Sequence, residues 1–547
     1  MARGPAGGRG RSHDPRAGDT PGSRAGKPGS RAGTPGSRAG TPGTRGGKAA
    51  SRGDQAPART DKPASRAGTP REPRPGRRAP ARGGRGGTGG ASGRRIDPAR
   101  LVAFEVLRAV RERDAYANLV LPALLRERGL TGRDAAFATE LSYGTLRGLG
   151  TYDAVIAACS ARGLDRIDPP VRDVLRLGAH QLLATRVGAH AAVATSVDLA
   201  RETAGPGASG FVNAVLRRVA SRDLEAWIAA VAPGRADDLI GHLAVRYSCP
   251  AWIVSAFAES LGEDASAGLA ETEAALAASS VRPQVALCAV PGLASQAELV
   301  AAGAEPARWS PFGAYLERGD PAAVAAVGEG RAAVQDEASQ LAAVALARVD
   351  VGAPDRRWLD LCAGPGGKAR LLSGLAAQAG ARLLAADVRL HRARLVQAAV
   401  TGTAGVVVAD GTAPAWRPGS FDRVIADVPC CGLGALRRRP EARWRKSPDD
   451  VPGLGHLQRG LLASALDAAR PGGAVAYVTC SPHVDETRTV IADVLRGRDD
   501  VAVLDAPAVL AEVPGLRWPG PDGRYAQFWP HRHGTDAIFL ALLQLTQ

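Results

Sequence analysis

The sequence predicts a multidomain protein: an all-α bundle, a small α+β connecting subdomain and a C-terminal α/β doubly wound domain, preceded by a basic tail that has no core. Three observations carry this. At 547 residues the chain exceeds the roughly 100–200 residues of one domain. Its apolar spacing changes from helical to alternating strand and helix along the chain. Hydrophobic residues make up 45% of it but aromatics only 4%, so Ala, Val and Leu must fill the interiors.

Residues 1–94 are low-complexity, with a seven-residue theme in "PGSRAGK", "PGSRAGT" and "PGSRAGT" from Pro21 onward. They lack aromatic residues and carry Gly and Pro throughout, so they bury too little surface to offset ordering entropy and are expected to be disordered. Residues 1–95 hold 22 Lys or Arg against 5 Asp or Glu, and the remainder holds 48 against 49. The net charge of +16 therefore belongs to the tail. A solvated spacer and a nonspecific RNA-binding arm both fit it, and any RNA site in the body must be a local patch.

The seven cysteines, Cys159, Cys249, Cys288, Cys362, Cys430, Cys431 and Cys480, are scattered with no C-x-x-C pair. This argues for reduced thiols and against a disulfide framework or a structural zinc. There is no leader-like apolar segment and no run of about 18 apolar residues. The expectation is a cytoplasmic protein with no membrane and no metal.

From Ile96 the apolar residues recur at i, i+3, i+4 and i+7, which predicts a helical domain over 95–232. "TELSYGTLR", "LRLGAHQLL" and "FVNAVLRR" resemble the NusB domain, and that likeness implies RNA binding. A bundle used only for packing is the alternative. Residues 233–340, with "RYSCPAWIV" and "VRPQVALCAV", mix helical and strand-like runs and read as the connecting subdomain. Over 341–547, "RRWLDLC", "ARLLAADV", "GVVVAD", "FDRVIADVP" and "GAVAYVTC" are short buried strands separated by helical runs. That order predicts a parallel sheet with helices on both faces, whose ligands bind beyond the carboxyl ends of the strands.

The turn "DLCAGPGGKA" brings backbone amides and a helix N-terminus close to a ligand. It lacks the spacing of a dinucleotide turn, and Ala369 after Lys368 removes the hydroxyl of a phosphate-binding P-loop. Asp387, Asp410 and Asp427 then recur at successive strand ends. An acid after the second strand suits a ribose diol, and the next can accept donors from a base edge or amino group. Each alone would equally serve as a helix cap. The series, with the Gly-rich turn, resembles S-adenosylmethionine-dependent methyltransferases with a Rossmann-like sheet.

The resemblance narrows with "CAGPGGK", "DVPCCGLG" and "TCS" in that order, which are similar to the motifs of the RNA cytosine-5 methyltransferases. With the NusB-like segment the likeness covers about 96 to 547. It implies S-adenosyl-L-methionine held by Cys362, Ala363, Gly364, Pro365, Gly366, Gly367, Lys368, Asp387, Asp410 and Asp427. It also implies Cys480 as the nucleophile that adds to cytosine C6, Cys430 as the residue assisting product release, and Asp427 at the Watson–Crick edge of the base. Lys368 would help fix the base. Cys431 stands where the family more often has serine and reads as a packing residue or spare thiol; Cys362 also packs. Val428 and Gly364 replace alanines without removing a functional group.

"RRRPEARWRK", Arg437 to Lys446, places six basic residues and one Glu around Trp444. Arg437, Arg438, Arg439, Arg443 and Trp444 are thus candidates to hold phosphates or stack on a base. A solvated charge run is the alternative. Because a stacked cytosine hides C6, the expected partner is small-subunit rRNA that is naked or partly assembled, methylated by a monomer. A tRNA cytosine-5 methyltransferase, and a non-catalytic RNA-binding or antitermination protein on a retained methyltransferase fold, are the competing readings.

Overall fold

The structure is a computed structural model that describes residues 96–546 apart from 265, 267, 401, 403 and 519–522. The basic tail, with its expected spacer or RNA-binding role, lies outside the described residues.

The helical domain begins where local signals put a helix. Asp97 caps the helix Pro98–Arg113 by accepting from the Arg100 amide at 2.9 Å, and Pro98 occupies its first turn. Val102, Ala103, Val106 and Leu107 line its buried face. That face packs on Gly132–Arg147 and Pro169–Ala184, and further helices from Leu149–Cys159 to Leu224–Val231 complete one apolar core.

Helices Leu239–Arg246, Ala251–Leu261 and Ala270–Ser279 follow, then a four-stranded antiparallel sheet in the order Glu305–Pro306, Gly313–Leu316, Val285–Ala289, Ala332–Val334. The helices do more than connect. Leu243, Ile253, Phe257 and Leu276 share a core with Cys431, Leu433, Leu436, Trp529 and Ala537, so they back the loop after "DVPC".

The C-terminal sheet comprises β1 (Arg357–Asp360), β2 (Arg382–Asp387), β3 (Gly405–Val408), β4 (Phe421–Asp427), β5 (Ala469–Thr479), β6 (Val501–Val503) and β7 (Phe539–Leu545). Its order is β6-β7-β5-β4-β1-β2-β3, with Ala526–Gln527 paired to β7. Strands β3, β2, β1, β4 and β5 run parallel. β7 alone runs antiparallel to its neighbours β5 and β6, so the sheet is mixed where a purely parallel one was expected. Side chains alternate as the pleat requires. Ala474, Ala476 and Val478 face the core under Glu337–Arg348 and Gly367–Gln378, while Val475 and Tyr477 face the core under Asp450–Ala468. The parallel strands release the chain at one edge, where the site forms.

Candidate active site

Two neighbouring strands end in thiols. β4 stops at Asp427 and β5 at Thr479, and their pairing brings Cys430 Sγ to 3.2 Å from Cys480 Sγ although 50 residues separate them. Both thiols are half-buried. Next to them Lys368 Nζ, from the first turn of the helix Gly367–Gln378, donates to Asp427 Oδ2 at 2.8 Å.

Charge divides the sulfurs. The hydrogen bond from Cys430 holds the Cys480 thiol below its ordinary value; burial and Asp427 oppose this, and Lys368 and Arg439 reinforce it. That same hydrogen bond, burial and the nearby Glu486 drive Cys430 well above its ordinary value. Cys480 is therefore the thiolate-prone member and Cys430 the proton holder. Burial works against the charge on Lys368, but Asp427 outweighs it and keeps the amine protonated.

The loop carrying Cys430 is tied down on both sides. Gly434 donates to the Cys480 carbonyl at 2.8 Å and accepts from Ala537 at 2.9 Å; a Cβ on Gly434 would overlap the Ala537 carbonyl. Buried Glu486 accepts from the Cys431 amide at 2.7 Å and from its thiol at 2.6 Å, and Gln458 donates to Glu486 at 3.2 Å and to the Pro429 carbonyl at 2.8 Å. Cys431 thus packs while serving as a donor. Glu486, Gln458 and Gly434 escaped sequence reasoning. Glu486 stood in plain sight six residues after Cys480, but nothing in the order of residues says that it turns back to the other thiol loop.

The Gly-rich turn runs from β1 into the helix that carries Lys368. Ala363 donates to the Ala386 carbonyl at 2.8 Å, and Gly366 adopts φ +113, a left-handed conformation that glycine tolerates. Cys362 is half-buried against the core, and burial pushes its thiol up. Pro365 and Gly367 are exposed at the mouth of the turn. Asp387 accepts from the Gly364 amide at 3.1 Å and from the Arg389 amide at 2.8 Å, with Arg392 at 3.6 Å. Asp410 is exposed and caps its own turn, accepting from the Thr412 amide at 2.9 Å and hydroxyl at 2.7 Å. Asp360, at the end of β1, is a further acid that sequence reasoning passed over. It is fully buried, neither carboxylate oxygen has a hydrogen-bond partner, and burial with Asp427 pushes it up to about 8. The signal was there: Asp360 ends its strand as Asp387 and Asp427 end theirs.

Two of the expected RNA-binding arginines require correction. Arg437 is buried; it donates to Asp536 at 2.6 Å, to Asp336 at 2.9 Å and to the Gly534 carbonyl at 2.7 Å. Arg443 is 1% exposed and donates to the Ser279 carbonyl at 3.0 Å. Both guanidiniums are turned inward, Arg437 between Asp336 and Asp536 and Arg443 against the end of the helix Ala270–Ser279, and so are withdrawn from a phosphate-binding surface. Arg438 is likewise bound to Asp336 at 2.7 Å and Asp536 at 3.0 Å. Arg439 and Trp444 remain exposed. Arg439 lies 5.1 Å over the Tyr116 ring, and Trp444 packs against Gly150.

The profile of the 16S rRNA methyltransferase RsmB/F family matches residues 349–544, and that of the NusB family matches 97–221. A putative methyltransferase of Mycobacterium tuberculosis (strain ATCC 25618 / H37Rv) is 52% identical over 457 residues, covering 82% of this chain and 97% of its own. The ribosomal RNA small subunit methyltransferase B of Pseudomonas putida is 33% identical over 460 residues, covering 81% and 98%. The chain belongs to the RsmB/F family. The crystal structure of PH0851 shares the fold, with a TM-score of 0.66 at 22% identity over 82% of this chain and 99% of that one.

Members of the RsmB/F family are S-adenosylmethionine-dependent rRNA methyltransferases, and the residues here fit that cofactor. The orphaned Asp360 carboxyl, the Gly-rich turn and Asp387, which accepts from the Gly364 amide of that turn, lie at the edge expected for a ligand on such a sheet. Among the described residues no cluster of three or more His, Cys, Asp or Glu could hold a metal ion, and no helix is long and apolar enough to cross a membrane.

Proposed function

We propose that the protein transfers a methyl group to C5 of a cytosine in small-subunit rRNA through a transient bond between Cys480 and C6. The contact between two thiols of opposite proton affinity, beside the Lys368–Asp427 pair, is the observation that carries this reading. C5 of cytosine is a weak nucleophile. Adding the Cys480 thiolate to C6 makes C5 electron-rich, and splits one hard step into two easier ones.

The turn 362–368 with Asp387 and Asp410 would hold S-adenosylmethionine, which when bound would supply the methyl group. Asp427, fixed by Lys368, meets the N3 and N4 edge of the base, where a preorganised partner stabilises the charge that addition places on the ring. When C5 has lost its proton to a base, the C5=C6 bond re-forms and Cys480 leaves as a thiolate. The Cys430 thiol at 3.2 Å donates a hydrogen bond to that leaving sulfur.

A target cytosine must be unstacked to expose C6, so partly assembled or protein-poor rRNA is the preferred substrate over mature subunits. The test is to map 5-methylcytosine in RNA from cells with the gene, without it, and with Cys480→Ala. A small-subunit rRNA mark that depends on Cys480 supports the reading. A mark confined to tRNA overturns the substrate, and no mark at all favours a non-catalytic RNA-binding role.

A further inference from the structure

The mechanism leaves a second cleft unused. It measures about 420 Å³, within the roughly 300–1,000 Å³ of ligand pockets. One wall is the helix Gly132–Arg147, another is the approach to and edge of the connecting sheet at Arg282–Val285 and Val334–Asp336, and the third is Arg437–Arg439.

Its charges do not cancel. Asp336 is occupied by Arg437 and Arg438, and Glu140, 3.7 Å from His180, also acts on Arg147 and Arg282, which leaves the positive charge of Arg147, Arg282 and Arg439 in excess. Arg147, Arg282 and Arg439 have no carboxylate within 4 Å among the described residues, and the buried Arg147 Nε has no hydrogen-bond partner. The rest of the lining is mixed. Val334, an apolar side chain 51% exposed, and half-buried Tyr143 offer flat contact surface, and the exposed amide of Gln284 offers both a donor and an acceptor. Arg437–Arg439 line this cleft and follow within five residues of Gly434, whose amide donates to the Cys480 carbonyl at 2.8 Å, so the cleft adjoins the reaction centre.

We infer that this cleft receives a nucleotide flanking the target cytosine, with its base against Tyr143 and Val334, its edge at Gln284, and its phosphate among Arg147, Arg282 and Arg439. The inference rests on the reading of the protein as an RNA methyltransferase. Unpaired cations answer a polyanion, and single-stranded RNA is recognised by aromatic contact and edge hydrogen bonds on unstacked bases. The cleft would thereby select sequence next to the target, which the cytosine pocket cannot do.

The test uses a small-subunit rRNA fragment bound by the full-length protein, together with versions in which each nucleotide beside the target is made abasic in turn. Binding is read by fluorescence anisotropy and transfer by KM and kcat. For the wild type, one abasic position raises Kd and KM about tenfold while kcat changes less than about twofold. Arg282 and Val334 are exposed, so Arg282→Glu and Val334→Asp should fold. Val334→Asp, which spoils the base contact, should bind the intact fragment as weakly as the wild type binds the abasic one, with no further loss when the base is removed; Arg282→Glu, which removes a phosphate contact, should weaken the intact and abasic fragments alike. Additive losses for Val334→Asp, or variants that bind like wild type, overturn the cleft; an anionic protein segment as its occupant predicts the latter. Abasic sensitivity without methyl transfer would overturn the proposed activity and leave the cleft standing; transfer without that sensitivity does the reverse.

Discussion

Two buried ionic clusters lie close together in this molecule and obey opposite rules. Around Asp336, Asp536, Arg437 and Arg438, two carboxylates meet two guanidiniums, and each carboxylate is ion-paired at 2.6–3.0 Å. Around Cys480 the count does not balance. Lys368 serves Asp427, while Asp360 is buried with neither oxygen bonded and two sulfurs share one hydrogen bond. A matched network locks one geometry, and an unmatched one keeps groups ready to exchange protons or bind charge. The first cluster joins the connecting segment, the chain before β7 and the loop that carries Cys430; the second uses the position so obtained.

The comparison can be broken most severely at Cys480. Cys480→Ala should lower methyl transfer by about 10³-fold or more, with thermal stability nearly unchanged. Cys430→Ala should leave addition possible but slow the departure of Cys480, so a denaturing gel should show protein covalently joined to RNA. Normal turnover without that band would refute the division of labour between the thiols.

The matched cluster should fail in the other currency. Asp336→Ala leaves two buried guanidiniums short of a partner and should cost about 3–5 kcal/mol of stability; denaturant unfolding would check it. A loss below about 1 kcal/mol would show the network to be less coupled than its distances imply.

The orphan acid gives a pH signature. Asp360 is pushed up to about 8 by burial, against about 3.9 for an unfolded aspartate. Between those values the folded state holds a proton that the unfolded state has released, so stability falls as pH rises from about 4 to 8. Asp360→Asn should flatten that slope in a melting series, and an unchanged slope would mean that Asp360 is already ionised when folded. The smallest effect belongs to the surface. Trp444→Ala should raise KM for RNA about fivefold, a stacking-sized loss, with kcat and melting temperature held.

The Arg437–Lys446 segment shows where sequence reading stopped. Six basic residues around a tryptophan read as a phosphate-binding surface, yet Arg437 and Arg443 point inward. Their partners, Asp336, Asp536 and the Ser279 carbonyl, lie about a hundred or more residues away. No periodicity reports such a pairing. Glu486 behind Cys431, and Gly434 between Cys480 and Ala537, were hidden for the same reason. The Gly-rich turn and the acids ending β1, β2 and β4 are local features, and there the order of residues was enough to point to a ligand edge, Asp360 being overlooked although it obeyed the same rule.

By itself the amino-acid order determined the elements and their chemistry: a helical bundle, strands that end in acids and thiols, and a glycine turn feeding a helix. Periodicity, capping and backbone freedom act within a few residues, so they are written in sequence. Only the tertiary structure decided which thiols touch, which arginines are consumed as scaffold and which carboxyl is left unpaired. Those outcomes depend on strand adjacency and on the desolvation of charges brought together from distant parts of the chain, and both exist only once the sheet has formed.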